Sequence, residues 1–219
     1  MRILSFWLFV WFLCLPMIAQ SQQDFDMEWT QHTSGTRARL YGVTYANDRY
    51  LAVGENGTIL TSRDGVEWTR RESGTSDHLV GATYGNGTLL VVGNGDIILT
   101  SIDGVSWTRL RAGTGADLLG AGYANNMFVV VGGKGVIITS SDGIAWAQRI
   151  SGTQEWLYDV AYGNGLFVVV GDGGTILTSR DGVKWTRRES GTDAYLRGVA
   201  YGGGRFVAVG DEGVVLTSP

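Results

Sequence analysis

Residues 61–68 read Thr-Ser-Arg-Asp-Gly-Val-Glu-Trp. The same frame returns at 100–107 (Thr-Ser-Ile-Asp-Gly-Val-Ser-Trp), 139–146 (Thr-Ser-Ser-Asp-Gly-Ile-Ala-Trp) and 178–185 (Thr-Ser-Arg-Asp-Gly-Val-Lys-Trp), each time 39 residues further on. Trp29 stands one step before the first, and Thr217-Ser218 opens the frame once more. Other columns keep the step: Leu40, Leu79, Leu118, Leu157 and Leu196; Tyr45, Tyr84, Tyr123, Tyr162 and Tyr201; Gly54, Gly93, Gly132, Gly171 and Gly210. An internal period of this size decides the architecture before local propensity does. Within a repeat the apolar runs are short and β-branched, as in Leu157 to Tyr162, Leu166 to Val170 and Thr175 to Thr178, and Gly, Asn or Asp bounds each of them. Counting the Trp segment, each repeat supplies four strands, which is the blade of a β-propeller.

The ends set the expected closure. Residues 25–219 span five repeats of 39, and Phe25 to Trp29 stand where the last repeat would place its outer strand. The sequence therefore predicts a five-bladed, all-β propeller over residues 22–219. Its closing strand, Asp26 to Thr30, is expected to pair with Val214 to Ser218, removing the free edges between first and last blade.

The Thr-Ser-x-Asp-Gly-x-x-Trp frame is a tight hairpin. Asp can accept main-chain N–H groups of its own turn, Gly supplies a positive φ, and Trp covers the turn from the outer strand. The frame resembles the Asp-box of sialidase-like propellers, and the whole repeat is similar to bacterial photosystem II stability/assembly factor-like propellers. It departs from the Asp-box in having Asp64 and Gly65 adjacent, and from the assembly-factor family in having five repeats where seven are typical. The resemblance implies a propeller fold and, as one function, an assembly chaperone for an envelope complex.

The chain holds 34 Gly and 2 Pro in 219 residues, with 44% hydrophobic and 17% charged residues, a composition that excludes disorder by charge excess and collagen. Arg2, an apolar run from Ile3 to Pro16 and Ala19-Gln20-Ser21 read as a secretory signal over residues 1–21, so a periplasmic or secreted protein is expected. Its removal leaves 16 basic against 21 acidic residues, a poor balance for nucleic-acid binding. The single cysteine, Cys14, lies in that signal, so no disulfide or cysteine metal site is expected in the mature chain. His32 and His78 fall in different repeats, which supports neither a metal cluster nor a Ser-His-Asp arrangement, and no cofactor motif is present. Asn56-Gly-Thr58 and Asn86-Gly-Thr88 fit a glycosylation acceptor, but Asn-Gly is also turn chemistry. The Arg residues after each Trp, such as Arg70, Arg71, Arg109, Arg149, Arg187 and Arg188, read as charge on an exposed outer strand.

Recognition should reside where the repeat is not kept. Between Gly-Thr and the Leu column each repeat has its own triplet: Arg37-Ala38-Arg39, Ser76-Asp77-His78, Gly115-Ala116-Asp117, Gln154-Glu155-Trp156 and Asp193-Ala194-Tyr195. As loops from one blade to the next, these should gather at one mouth of the central channel, with Tyr41, Tyr158 and Arg197 one step beyond the Leu column. The expected ligand-binding residues are Arg37, Arg39, Asp77, His78, Asp117, Glu155, Trp156, Asp193, Tyr195 and Arg197. Aromatic faces beside carboxylates and Arg suit a polar ligand, whether glycan, peptide or protein. The leading expectation is a monomeric, non-catalytic binding module. The alternative is a glycoside hydrolase using two of Asp77, Asp117, Glu155 and Asp193, with Arg37, Arg39 and Arg197 as candidates for a substrate carboxylate.

Overall fold

The computed structural model of the chain describes residues 28–218. The first blade comprises β1 (Leu40–Ala46), β2 (Arg49–Gly54), β3 (Thr58–Ser62) and β4 (Thr69–Arg71), and the second β5 (Leu79–Gly85), β6 (Thr88–Gly93), β7 (Ile97–Ser101) and β8 (Thr108–Arg111). The third comprises β9 (Leu118–Ala124), β10 (Met127–Gly132), β11 (Ile137–Ser140) and β12 (Ala147–Arg149), and the fourth β13 (Leu157–Gly163), β14 (Leu166–Gly171), β15 (Ile176–Ser179) and β16 (Thr186–Arg188). The last comprises β17 (Leu196–Gly202), β18 (Arg205–Gly210) and β19 (Val215–Thr217). Each sheet is an antiparallel meander in chain order, four-stranded in the first four blades and three-stranded in the last. The first strand of each blade packs on the first strand of the next, β1 on β5, then β9, β13 and β17, so these five are the inner strands.

The hairpin between the first two strands of every blade is a two-residue turn with both residues at positive φ: Asn47-Asp48, Asn86-Gly87, Asn125-Asn126, Asn164-Gly165 and Gly203-Gly204. That conformation matches the twist of the flanking strands and selects Asn, Asp and Gly. Asn86 is thus a turn residue, as is Asn56 at φ 53°.

The Thr-Ser-x-Asp-Gly-x-x-Trp hairpin forms as its residue types dictate. The Asp64 carboxylate accepts the Ser62 hydroxyl and the main-chain N–H groups of Val66 and Glu67 at 2.9–3.0 Å, and Trp68 Nε1–H donates to the Gly65 carbonyl at 3.0 Å. The Asp103, Asp142 and Asp181 carboxylates accept the same three donors, and Trp185 Nε1–H donates to the Gly182 carbonyl at 3.1 Å. These main-chain donors hold all four carboxyls below the ordinary range, Asp103 and Asp181 down to about 2. Three of the Arg residues after the Trp column also tie the fourth strand to the third: Arg71, Arg149 and Arg188 donate Nε–H to Thr61, Thr139 and Thr178.

Between blades the core is a set of four apolar layers. In the first, Ala46, Leu51, Val53 and Ile59 meet Leu79, Leu89, Val91, Ile97 and Leu99 of the second blade, with Tyr84 and Trp107 against them. The same columns meet in the next three layers, where Trp146 and Trp185 recur. Val53, Val92, Val131 and Val170 are fully buried, but Val209 in the same column is 46% exposed.

The expected closing strand begins outside the described residues. Glu28–Thr30 carry no strand, Trp29 is 94% exposed, and the last sheet has three strands among the described residues.

Candidate functional site

Each inner strand enters its blade through one device. The carbonyl before the Leu column, that of Arg39, His78, Asp117, Trp156 or Tyr195, accepts the N–H of Glu55, Asn94, Gly133, Asp172 or Asp211 at 2.8–2.9 Å. The Gly column makes room for that carbonyl: a Cβ on Gly54, Gly93, Gly132, Gly171 or Gly210 would lie 2.0–2.2 Å from it. Directly after the Leu column the register with the second strand slips by one residue, so Tyr41, Val80, Leu119, Tyr158 and Arg197 are each the extra residue of a β-bulge. A bulge re-aims its extra side chain.

Those five bulged residues converge on a cleft of about 460 Å³ between the inner strands, which Trp156 and Asp159 also line. The cleft is lopsided. Where the bulged residue is polar, the residue after the Gly column is acidic: the Tyr41 hydroxyl donates to Glu55 at 2.9 Å, and Arg197 makes a two-pronged pair with Asp211 at 2.8 and 3.0 Å. Tyr158 has Asp172 in that place, and burial together with that carboxylate pushes its hydroxyl up to about 12. Where the bulged residue is Val80 or Leu119, its partner is the uncharged Asn94 or Gly133.

Arg197 is further held between two rings, its guanidinium 4.5 Å from the Tyr158 centroid and 5.1 Å from that of Tyr195. Fixed by Asp211 and flanked by π-faces, it is a preorganised cation. Its hydrogen bonds, and then its charge, hold the Asp211 carboxyl below the ordinary range.

Asp159 is the one residue of its column that is not glycine, the others being Gly42, Gly81, Gly120 and Gly198. At the first three of these a Cβ would come 2.6–2.7 Å from the carbonyl oxygen of the next inner strand. In the fourth blade a carboxylate occupies this gap instead, accepting Val160 N–H at 2.8 Å and Val199 N–H at 2.9 Å. Burial pushes its pKa up against those two bonds.

The sequence-nominated loop residues divide into two groups. His78 accepts Asn56 N–H on Nδ1 at 3.2 Å, and Asp117 accepts Gly95 N–H at 2.8 Å, so both cap a left-handed residue of the preceding blade. Asp77 accepts the Thr75 hydroxyl and faces Arg109 at 3.5 Å, while Arg39 pairs with Glu55 at 3.7 Å. Arg37, Glu155 and Asp193 are exposed side chains with no side-chain partner among the described residues. Trp156, 41% exposed, and Arg197 line the cleft, and Tyr195 supports Arg197. Sequence reading missed Glu55, Asp172, Asp211 and Asp159. The signal was present in the first three as a variable column directly after an invariant Gly.

No protein-family model matches the chain, and no curated protein matches it. Solved structures do. YCF48 bound to D1 peptide is 18% identical, with a TM-score of 0.67 over 84% of this chain and 64% of that one. YCF48 from Cyanidioschyzon merolae is 18% identical, TM-score 0.68, over 87% and 70%. Virginiamycin B lyase from Staphylococcus aureus is 9% identical, TM-score 0.72, over 86% and 72%. At these identities the likeness is one of fold, and the chain spans 64–72% of the length of these neighbours.

Proposed function

We propose that this chain is a non-catalytic recognition module that takes an extended peptide segment of a partner protein across the cleft between its inner strands, and that it works outside the cytoplasm after loss of residues 1–21. The observation that carries the reading is the convergence of Tyr41, Trp156, Tyr158 and the immobilised Arg197 on one cleft. Rigid aromatic faces and a preorganised guanidinium bind side chains and carbonyl or carboxylate groups at low entropic cost. The neighbour solved with a D1 peptide lends support by fold, as does the assembly role that the resemblance implies.

The hydrolase alternative is the weaker fit. Glycoside hydrolysis calls for a carboxylic acid free to give its proton to a leaving group. The cleft carboxylate raised by burial, Asp159, has both oxygens committed to main-chain N–H groups. Asp77 and Asp117 are engaged in their own loops.

The test is an array carrying random peptides beside glycans, probed with the chain and with Trp156→Ala. Peptide hits that the variant loses support the reading. Hits confined to glycans would replace the partner class, and peptide hits indifferent to Trp156 would move the site elsewhere.

A further inference from the structure

We propose that the outward faces of the first and last blades are the two halves of one head-to-tail interface between copies of this chain. Each internal layer joins a forward face to a backward face through the same columns. Among the described residues the first blade's backward face and the last blade's forward face have no such partner. Val43 is 69% exposed, whereas Val160 and Val199 in its column are at 7% and 9%; Leu40 is exposed while the other four of the Leu column are fully buried. On the last blade Val209 and Val215 are exposed where Val53 and Ile59, Val92 and Ile98, Val131 and Ile137 are buried.

The two faces match in relief as well as in chemistry. A Cβ on Gly85 would touch the Tyr123 ring at 2.0 Å and one on Gly163 the Tyr201 ring at 2.0 Å, so each of these rings sits in a socket on the blade before it. Gly202 presents the same socket with nothing within 4 Å, and Tyr45 presents the same ring 58% exposed. The outer region of the last blade repeats the pattern. A cleft of about 320 Å³ lies between Phe206 and Leu216 on one side and Val168, Val170 and Ile176 on the other. In the layers before it, Trp107, Trp146 and Trp185 pack against the matching residues.

A second copy is favoured over the chain's own first blade because the angle between blades has no slack. Three of the four steps between inner strands are already at main-chain contact, glycine against carbonyl, and the fourth holds the Asp159 side chain. Among the described residues β1 and β17 do not pack on one another as each other pair of successive inner strands does. Head-to-tail contacts of this kind either close into a ring of copies or run on as a filament.

Sedimentation of the 219-residue chain, alone and in mixtures, tests this. Val43→Glu blocks the first-blade face and Val209→Glu the last-blade face; both sites are exposed in the single copy, so each variant should keep the wild-type melt at a dilution where copies are separate. The wild type should associate with rising concentration and each variant should remain monomeric. An equimolar mixture of the two should form a one-to-one dimer, because one variant retains a sound last-blade face and the other a sound first-blade face. Tyr45→Glu and Gly202→Glu form a second pair should either of the first misfold. A wild type that stays monomeric at its highest soluble concentration, a mixture that yields no heterodimer, or association indifferent to both substitutions would overturn the proposal. The last of these would place the contact in another surface, such as the apolar N-terminal run.

Discussion

The Asp159 carboxylate accepts the Val199 main-chain N–H at 2.9 Å, joining the inner strands of the last two blades where the earlier blades place glycine against carbonyl. Burial raises the Asp159 pKa from its ordinary value, so the folded state holds this proton more tightly than the unfolded chain. The contribution to stability is therefore full below the unfolded pKa, about 4, and is lost as pH rises through the folded value. The melting temperature of Asp159→Asn minus that of the wild type should grow as pH climbs from about 4 and then level off. A difference that does not vary with pH would contradict this assignment.

The two sockets give opposite outcomes for one substitution. Gly163→Ala drives a methyl group into the Tyr201 ring and should cost about 1–3 kcal/mol. Gly202→Ala meets open space and, measured at a dilution where copies are separate, should stay within about 0.5 kcal/mol of wild type. Denaturant unfolding of the two variants checks both.

The architecture was legible because a propeller repeats its physics. The turn Asp, the Gly of the hairpins and the Trp that covers them are each required by local geometry, and a 39-residue step displays the Asp-Gly turn four times and the Trp five times. The site was legible only in part. The triplets stood out as variable, yet His78 and Asp117 vary because each caps a left-handed residue in the preceding blade, a contact between loops 22 residues apart in sequence. The bulge that aims Tyr41, Tyr158 and Arg197 is a one-residue slip in pairing, invisible in composition, and Glu55, Asp172 and Asp211 acquire meaning only once that slip brings them beside those side chains. Closure could be counted in residues, whereas the angle per blade is set by main-chain contacts that no count contains.

The turn carboxylates make an acid-side prediction. Asp103 and Asp181 are held down to about 2 by main-chain donors, so their contribution is present above the unfolded pKa and is lost as pH falls toward about 2. Asp103→Ala should lower the melting temperature by a few degrees at neutral pH, and that deficit should shrink on acidification. A deficit equally large at pH 2 would remove the carboxylate from the account.

Burial in the blade layers sets the scale for the fold. Val131→Asp places an unpaired charge in a fully buried position and should cost about 3–5 kcal/mol. The midpoint of chemical denaturation reads this directly.

The most direct measurement is calorimetric titration of the best peptide from the array into the wild type, Trp156→Ala and Tyr158→Ala. Recognition across the inner-strand cleft predicts that each substitution weakens binding by roughly ten- to a hundredfold while leaving the thermal melt in place. Equal affinity in all three proteins would contradict it.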